Sequence, residues 1–579
     1  MKIVFHCFVF LFILSCNSSV QTISGPPYAE LPNPKTTNEQ SWQQAGNGAW
    51  VSFASADVRY EKERVPHLSP EQGWNGKGWK GEKIHTQLLI WTTEDIERAS
   101  IQIGELKSDD GKTIDADHIS VRFVRYVLTD SIGRNGSGCG IPNDLDSSLA
   151  ADALDPIDQL PIRSNTTQPL WLSVHIPQDA APGRYSGSIT VKGLSNDPAP
   201  LEYTVEVVNR SLPLPRDWSF HLDLWQNPFS VARVHNVENW SEAHMEALNP
   251  YMKMLADAGQ KVITASIIHD PWNSQTYDVY QSMIKWTKKR DGSWEYDYRV
   301  FDQWVSYMLS LGIDREINCY SMIPWNLKFY YYDETLGKDT LIIATPGTRE
   351  YEEHWVPMLT DFARHLKEKG WFDITTIAMD ERPMEHMQKV FDIIRKADKD
   401  FKVSMAGNYH PEIERDLYNY CVASEFVLAD SVRERRKRDG LVTTFYTACP
   451  EEYPNVFTFS PPAEAAFMGW YAAGRKFDGY LRWAYNSWPE KPLQDSRFGR
   501  WSGGDTYFVY PEARSSIRFE RLIEGIQAYE KIRILRAEFE RNGEGGKLEE
   551  VLKRFDIKAT KSTGAAALVR EANAVLNSY

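Results

Sequence analysis

Two adjacent carboxylates, Asp380 and Glu381, follow directly on the apolar, β-branched run 374–379 and precede Arg382 and Pro383. The run is typical of a strand buried on both faces, and Pro383 suits the first position of the helix that the apolar spacing after it predicts. The two acids therefore lie where a strand gives way to a helix. Because α/β enzymes keep reacting groups at the carboxyl ends of parallel strands, this position favours catalysis over helix capping or a surface ion pair.

Adjacent acids suit one particular kind of glycosidic chemistry. Most glycosidases place the acid and the nucleophile on opposite sides of the scissile bond, whereas the Cα atoms of sequence neighbours are only about 3.8 Å apart. A 2-acetamido sugar removes this conflict, because its own acetamide oxygen can attack the anomeric carbon. Asp380 would then orient the acetamide N–H and stabilise the oxazolinium intermediate, and Glu381 would protonate the leaving oxygen as general acid.

The composition favours a neutral substrate. The 579-residue chain has a formal net charge of −14, which argues against a nucleic acid or an anionic membrane surface as partner. Its 20 Trp, 28 Tyr and 25 Phe could stack on sugar faces, although a large core would also use them. The sequence has no HExxH motif, paired CxxC, Walker loop or dinucleotide fingerprint, so we expect no metal and no other cofactor.

The amino terminus resembles an export signal with a lipidation site. An apolar run over residues 3–14 is too short to be retained as a membrane-spanning helix. Residues 13–16 are similar to a bacterial lipobox, which implies a signal peptide over 1–15, a lipid anchor on Cys16 and a flexible tether over 16–40. We therefore expect an exported protein, periplasmic or at the cell surface, that contacts the bacterial outer membrane only through this anchor.

Four cysteines remain after the predicted signal and anchor: Cys139, Cys319, Cys421 and Cys449. Four cysteines allow three pairings, and the sequence selects none of them. Cys319 lies within a predicted strand and Cys449 just past another, which favours buried thiols over disulfides or zinc ligands.

The hydrophobic pattern predicts a multidomain α/β plus β protein. Short alternating runs over residues 41–212 predict a β-sandwich, in which the glycine-rich segment 73–78 is a turn. Residues 213–500 alternate strand with helix and predict a (β/α)8 TIM-like barrel, and residues 501–579 predict a C-terminal helical cap. The predicted barrel strands are 219–225, 261–269, 316–323, 374–379, 401–406, 425–429, 441–447 and 479–485.

Most of these strands end in a side chain that can stack on a sugar or hydrogen-bond to it. Since the carboxyl ends of the strands meet on one face of a barrel, these side chains predict an aromatic, polar mouth around the acid pair. The predicted sugar-binding residues at strand ends are His269, Tyr320, Asn408, Tyr446, Trp483, Asn486 and Trp488.

Three separated motifs resemble glycoside hydrolase family 123, and the resemblance covers roughly residues 40 to 540. In chain order they are Trp79-Lys80-Gly81-Glu82 through Leu88 to Trp91, then Met379-Asp380-Glu381-Arg382-Pro383, then Leu481-Arg482-Trp483-Ala484-Tyr485-Asn486-Ser487-Trp488-Pro489 through Gly504-Asp505-Thr506-Tyr507.

The resemblance implies an exo-acting β-N-acetylgalactosaminidase. Such an enzyme removes terminal non-reducing β-linked N-acetylgalactosamine (GalNAc) from a glycolipid or glycoprotein glycan, with net retention and by substrate assistance. The resemblance carries the catalytic roles to Asp380 and Glu381 and, more loosely, a binding role to Trp501. Two alternatives remain open: a β-N-acetylglucosaminidase, because the sequence cannot position the groups that distinguish the C4 epimers, and a non-catalytic glycan-binding lipoprotein of the cell surface.

Overall fold

The computed structural model describes residues 28–35, 39–131, 146–426, 428–543 and 545–579. The predicted signal peptide, the predicted lipidation site Cys16 and Cys139 lie outside these ranges. Within them, no helix combines the length and the apolar character that crossing a membrane requires.

Two β-sheets packed face to face form the amino-terminal part, which confirms the predicted sandwich. One sheet has the strand order β1-β3-β10-β7-β8 and the other β2-β12-β11-β4-β9. Their inner faces share one core, in which Phe53 and Leu88 of the first sheet are buried together with Tyr185 and Val205 of the second. The strands are β1 Ala49–Ala54, β2 Gly73–Lys80, β3 Lys83–Thr92, β4 Ile96–Ile103, β5 Leu106–Ser108, β6 Thr113–Ile114, β7 Ile119–Thr129, β8 Ser148–Asp155, β9 Gln159–Ile162, β10 Thr166–His175, β11 Gly183–Lys192 and β12 Leu201–Ser211.

The prediction of a turn at residues 73–78 was wrong, because this segment belongs to strand β2. β2 lies at the edge of its sheet and pairs in parallel with β12. Its glycines make room for neighbouring side chains: a Cβ atom on Gly76 would lie 2.6 Å from the ring of Trp74 and 2.7 Å from Ile84. Glycine here serves close packing within a strand, which the sequence pattern alone does not distinguish from a turn.

Eight parallel strands form a nearly closed barrel, which confirms the predicted (β/α)8 architecture. Their order is β13-β24-β23-β22-β21-β20-β17-β14. The remaining gap is bridged where the Lys261 N–H donates to the Leu222 carbonyl at 3.0 Å and the Gln260 side chain accepts from the Leu224 N–H at 3.0 Å. The barrel strands are β13 His221–Leu224, β14 Val262–Ser266, β17 Glu316–Tyr320, β20 Thr375–Met379, β21 Lys402–Gly407, β22 Asn419–Ala423, β23 Val442–Tyr446 and β24 Gly479–Arg482.

The sixth barrel strand was predicted in the wrong place. It is β22, Asn419–Ala423, and not residues 425–429, which connect β22 to the next helix. Only a short 3-10 turn, Glu414–Asp416, lies between β21 and β22. Because a full helix is missing there, the strand follows its predecessor sooner than the regular strand–helix alternation suggests.

Eleven α-helices lie in the described residues, and most of them surround the barrel. They are α1 Glu39–Ala45, α2 Pro228–His235, α3 Glu242–Asp257, α4 Arg299–Ser310, α5 Arg349–Lys369, α6 Met384–Ala397, α7 Asp430–Arg438, α8 Pro462–Arg475, α9 Ile517–Asn542, α10 Gly546–Lys553 and α11 Ser562–Leu576.

The loops that follow barrel strands β14 and β17 contribute a separate four-stranded sheet. Its strands are β15 Lys285–Lys288, β16 Trp294–Asp297, β18 Lys328–Asp333 and β19 Lys338–Ile343, in the order β16-β15-β18-β19. The inner face packs on helix α5, where the ring of Trp286 stacks on His354 at 4.7 Å and Phe329 lies 5.7 Å from Trp355. Because the sheet grows from loops at the carboxyl ends of the strands, it lies on the same side of the barrel as Asp380 and Glu381.

The C-terminal helices pack on both preceding parts. Helix α9 crosses the barrel helix α8 closely, since a Cβ atom on Gly469 would lie only 2.0 Å from the Gly525 carbonyl oxygen. At its start, the short strand β25, Ser515–Ser516, pairs antiparallel with β8 of the sandwich. In α9, the buried carboxylate of Glu520 pairs with Arg122 of the sandwich at 3.0 Å. This region therefore joins the sandwich to the barrel.

The cysteine prediction is confirmed for two residues and wrong for a third. Cys319 and Cys421 are buried free thiols. Cys449 is disulfide-bonded. Cys319 and Cys421 lie inside barrel strands, whereas Cys449 lies in the loop after β23.

Candidate active site

The acid pair lies at the mouth of the barrel. Strand β20 ends at Met379, Asp380 and Glu381 follow, and Pro383 precedes helix α6. The Asp380 side chain is buried and that of Glu381 is exposed. Both line a pocket whose other walls include five tryptophans: Trp225, Trp272, Trp325, Trp483 and Trp501. Adjacent positions therefore offer one carboxylate at the bottom of an aromatic pocket and one at its entrance.

Two neighbours hold Asp380 in place. The indole N–H of Trp325 donates to Oδ2 at 2.9 Å, and Nη2 of Arg382 donates to the same oxygen at 3.1 Å. Nε of Arg382 lies 2.9 Å from Oδ1, but its N–H does not point at that oxygen, so Oδ1 accepts no hydrogen bond in the described structure. A buried carboxylate oxygen that lacks a hydrogen-bond donor is suited to accept one from the substrate.

Burial raises the pKa of Asp380 above its ordinary value, and the charge of Arg382 and the hydrogen bond from Trp325 partly offset this effect. The guanidinium of Arg382 also lies 3.7 Å from the ring centroid of Trp325, which is a cation–π contact. Asp380, Trp325 and Arg382 thus form a mutually supported group in which the carboxylate has one fixed orientation.

Glu381 is held from the opposite wall of the pocket. The hydroxyl of Tyr446, at the end of strand β23, donates to Oε1 of Glu381. Burial, with the nearby charge of Glu381, raises the pKa of Tyr446, so its hydroxyl keeps its proton and remains a donor. The exposed Glu381 carboxyl group can therefore meet a leaving group at the entrance while one of its oxygens is held in position.

A third acid, Asp505, lines the same pocket. It is buried, and its Oδ1 accepts from Nη2 of Arg482 at 2.5 Å and from the indole N–H of Trp483 at 3.1 Å. Arg482 is itself fully buried and anchored to the Thr447 carbonyl at 2.6 Å. Oδ2 of Asp505 is buried without a hydrogen-bond partner in the described structure, so it is a fixed acceptor on the pocket wall.

Five residues that the sequence analysis predicted for the site line this one pocket: Asp380, Glu381, Tyr446, Trp483 and Trp501. The rings of Trp483 and Trp501 lie 5.4 Å apart in an edge-to-face arrangement, and the indole N–H of Trp501 donates to the Gln275 carbonyl at 3.1 Å. Together they form an aromatic wall beside Asp505.

Three further predicted residues lie around the pocket without lining it. Tyr320 is buried below it, with its ring 4.5 Å from that of Trp225. His269 contacts Tyr330 edge-to-face at 4.9 Å, away from the acid pair. Asn408 is exposed, and its backbone carbonyl accepts a hydrogen bond from Tyr420 at 2.6 Å.

Asn486 and Trp488 are buried and their hydrogen bonds serve the fold. Asn486 bonds through both side-chain atoms to the backbone of Asn227, at 2.9 Å in each case. The indole N–H of Trp488 donates to the Val509 carbonyl at 2.6 Å. These residues hold the loop after β24 against the start of α2 and do not line the pocket.

The sequence analysis did not predict Trp325 as a site residue, because it lies in a loop that no strand end marks. Asp505, which lies within the third motif of the resemblance, was not predicted to bind the sugar. In the described ranges, no group of three or more His, Cys, Asp or Glu residues could hold a metal ion.

A (β/α)8 barrel whose open end carries an acid pair in a tryptophan-lined pocket has the architecture of a glycoside hydrolase. The family model of the glycoside hydrolase 123 catalytic domain matches residues 225–535, and that of the glycoside hydrolase 123 N-terminal domain matches residues 53–193. The chain belongs to glycoside hydrolase family 123, as the three motifs predicted.

One solved structure agrees with this assignment. A family 123 glycoside hydrolase from Clostridium perfringens, analysed for glycolipid glycan hydrolysis, is similar with a TM-score of 0.84 and 28% identity, over 92% of this chain and 97% of that chain. A GH5 xyloglucanase from Bacteroides ovatus aligns over 82% of this chain and 100% of that chain. Its TM-score of 0.29 and identity of 8% are too low to support any conclusion about this chain. A search of the curated proteins finds no match.

Proposed function

We propose that this glycoside hydrolase removes terminal, non-reducing, β-linked GalNAc from glycans, with net retention. In the proposed mechanism the acetamide oxygen of the substrate attacks the anomeric carbon and forms an oxazolinium intermediate. Asp380 accepts the acetamide N–H and stabilises the positive charge, and Glu381 protonates the leaving oxygen and then activates water as the base.

The arrangement of Asp380 and Glu381 is the observation that carries this proposal. Asp380 is buried, fixed by Trp325 and Arg382, and has one oxygen without a hydrogen bond, which suits an amide donor. Glu381 is exposed at the entrance, which suits contact with a leaving group and then with water. Two acids from one strand end need no partner across the scissile bond when the substrate supplies the nucleophile.

A carboxylate of the enzyme acting as the nucleophile is the main mechanistic alternative, and the sequence offers three other acids near predicted strand ends as candidates: Asp270, Asp430 and Asp505. Asp270 does not line the pocket and accepts a hydrogen bond from the Ser274 N–H at 2.7 Å. Asp430 is exposed on helix α7 and pairs with Arg433. Asp505 lines the pocket, but two donors hold its Oδ1. We assign Asp505 the role of a hydroxyl acceptor for the sugar.

The choice of GalNAc over N-acetylglucosamine rests on family membership, and a β-N-acetylglucosaminidase is the alternative to exclude. The direct test is turnover of paired aryl β-GalNAc and β-N-acetylglucosaminide substrates by the purified protein. We expect the β-GalNAc substrate to be cleaved with the higher kcat/KM. A higher kcat/KM for the β-N-acetylglucosaminide would identify the protein as a β-N-acetylglucosaminidase instead. Binding of both sugars without turnover would favour a glycan-binding lipoprotein.

We also propose, from residues 13–16 alone, that the chain is exported and lipid-anchored at Cys16. Labelling with a radioactive fatty acid should mark the wild-type protein and leave the Cys16→Ser variant unlabelled. Equal labelling of the two proteins would refute this anchor.

A further inference from the structure

A strand of the sandwich runs beside the loop that forms one wall of the pocket. Trp501 and Asp505, which line the pocket, belong to residues 494–505, here called the wall loop. Leu128 of strand β7 bonds to the start of this loop in both directions. Its N–H donates to the carbonyl of the first loop residue at 2.8 Å, and its carbonyl accepts from the Ser496 N–H at 2.9 Å. The wall of the pocket is therefore built against the sandwich as well as the barrel.

A tight turn of the wall loop leads into Asp505. The Asp505 N–H donates to the Ser502 carbonyl at 3.0 Å, and Gly504 has a φ of 78°, as the third position of a type II turn requires. Gly503, in the second position, has no room for a side chain, because a Cβ atom there would lie 2.5 Å from the hydroxyl oxygen of Thr129. The turn is thus in direct contact with the end of β7.

Asp130, the residue after β7, holds this turn by its backbone. Its Oδ1 accepts from the Gly503 N–H at 2.9 Å, and the residue is only 3% exposed. Burial raises the pKa of Asp130 to about 6, so at neutral pH the carboxyl group is mainly ionised and the hydrogen bond is charge-assisted. Because a buried charge is costly unless it is hydrogen-bonded, Asp130 and the Gly503 N–H fix each other in place.

A second acid of the sandwich holds the other side of the turn. Asp152 of strand β8 accepts from Nε of Arg518 at 3.0 Å, and Nη1 of Arg518 donates to the Gly504 carbonyl at 3.0 Å. Two consecutive glycines are therefore gripped from both sides, the N–H of Gly503 by Asp130 and the carbonyl of Gly504 by Arg518. Asp130 contacts the turn directly, whereas Asp152 acts through the arginine.

The residues on either side of the turn are those that face the sugar pocket. Trp501 lies two residues before Gly503, and Asp505 lies two residues after it. The Asp505 side chain is fixed to the barrel, since its Oδ1 accepts from Nη2 of Arg482 at 2.5 Å. Its backbone is fixed to the sandwich through the turn. Held at both ends, the Oδ2 acceptor of Asp505 has one position in the pocket wall.

We propose that Asp130 is a positioning residue for sugar recognition, because it sets the place of Trp501 and Asp505 through the Gly503 N–H. Asp130 does not line the pocket and contacts no substrate itself. The sandwich is thereby part of the substrate-binding machinery and not a separate module. This inference rests on the proposed function, in which Asp505 accepts a sugar hydroxyl, and deepens it by naming the residue that holds this acceptor in register.

Three variants of the full chain separate positioning from stability. Asp130→Ala removes the acceptor, and Asp130→Asn keeps an acceptor oxygen without the charge. Asp155→Asn is the matched control, because Asp155 is also a buried acid of the sandwich and also contacts the C-terminal part, through Arg514 at 2.8 Å, but Arg514 does not line the pocket. If Asp130→Ala melts below the assay temperature, Asp130→Leu takes its place, because leucine has a similar branched shape and no acceptor.

Turnover of an aryl β-GalNAc substrate at neutral pH gives the main readout. We expect Asp130→Ala to raise KM about tenfold, as for the loss of a hydrogen bond to a charged group. Its kcat should stay within about twofold of the wild-type value, because Asp380 and Glu381 are untouched and the lost contact serves binding. Asp130→Asn should raise KM by less than about threefold, since its amide oxygen still accepts from Gly503. Asp155→Asn should change neither constant.

A double-mutant cycle shows whether Asp130 acts through Asp505. In the Asp505→Asn background the acceptor is already weakened, so Asp130→Ala should raise KM there by less than about threefold. A residue that only stabilises the fold would give the same increase in both backgrounds. The melting temperature of each variant is measured alongside.

Four results would overturn the positioning role: an unchanged KM in Asp130→Ala, equal increases in Asp130→Ala and Asp155→Asn, no rescue by Asp130→Asn, or equal effects of Asp130→Ala in the two backgrounds. If the wild type cleaves no aryl glycoside, the dissociation constant of GalNAc, measured by calorimetry, replaces KM. Binding weakened about tenfold in Asp130→Ala would then reject the proposed function and leave the positioning role standing. Cleavage by the wild type with an unchanged KM in Asp130→Ala would do the reverse.

Discussion

The indole N–H of Trp325 donates to Oδ2 of Asp380 at 2.9 Å, so a partly exposed residue of the mouth is bonded to the buried acid. The other oxygen, Oδ1, accepts no hydrogen bond and lies 2.9 Å from Nε of Arg382. The hydrogen bond from Trp325 also couples the ionisation of Asp380 to a residue that lies between the pocket and the hairpin β18–β19.

Replacement of Trp325 by phenylalanine should move the acidic limb of the kcat/KM profile to higher pH. Burial raises the pKa of Asp380, and the Trp325 hydrogen bond lowers it again by favouring the ionised form. Without that donor the pKa of Asp380 rises further, so the carboxylate becomes protonated at a higher pH and activity begins to fall there. At neutral pH, we expect kcat/KM to fall by about tenfold, from the loss of one hydrogen bond to a charged group.

Trp501→Phe is the matched control for this pH effect. Its indole N–H bonds to the Gln275 carbonyl and to no acid, so its removal should leave the acidic limb where it is. If the acidic limb of the pH profile does not move in Trp325→Phe, or moves equally in both variants, the hydrogen bond from Trp325 does not set the pKa of Asp380.

The Glu381→Gln variant should lose activity according to the leaving group. On a glycoside with a sugar or alkyl leaving group, kcat should fall by about 10²–10⁴, the usual contribution of general acid catalysis. On an aryl glycoside with a nitrated phenol, the loss in the first step should be much smaller, because that leaving group departs without a proton. Equal losses across a series of phenols would remove Glu381 from the role of acid.

The Asp380→Asn variant should be impaired with every leaving group. Its side chain can still accept a hydrogen bond, but it has no charge to stabilise the oxazolinium, so kcat should fall by about 10²–10³. Single-turnover rates on activated and unactivated substrates measure this loss. Near-normal rates in a variant with an unchanged melting temperature would assign Asp380 a structural role at the start of α6.

The Asp505→Asn variant should weaken recognition of one sugar hydroxyl. Oδ2 of Asp505 is a buried acceptor on the pocket wall, and loss of its charge should lower kcat/KM by about tenfold or more, as for a hydrogen bond to a charged group. Deoxy substrates identify the hydroxyl that Asp505 contacts. For the substrate that lacks this hydroxyl, either the 4-deoxy or the 6-deoxy sugar, kcat/KM should already be low in the wild type and should not fall further in Asp505→Asn. If the variant lowers kcat/KM for both deoxy substrates as much as for the parent sugar, Asp505 contacts neither hydroxyl.

The sequence predicted the acid pair because the relevant signals are local. An apolar strand, two acids and a proline before a helix occupy ten consecutive residues, 374–383, and strand-end geometry supplies the rest. The same reasoning places Tyr446 and Trp483, each at or just past the end of a barrel strand, beside Asp380.

The features that the sequence did not predict depend on contacts between distant segments. Asp505 is oriented by Arg482, which is 23 residues away in the chain, and Trp325 reaches Asp380 across 55 residues. Strand-end position also selected Asn486, whose partner is the backbone of Asn227 and not the pocket. A strand end fixes where a residue lies, but packing decides whether its side chain points into the site or into the fold.

Inhibition by the thiazoline derived from GalNAc tests the central claim most directly, because this compound mimics the bicyclic intermediate of acetamide attack. If Asp380 and Glu381 serve a nucleophile supplied by the substrate, the thiazoline should inhibit competitively with a Ki well below the KM of the matching aryl β-GalNAc substrate. A Ki above that KM would contradict the account and favour an enzyme nucleophile, for which Asp505 is the acid in position.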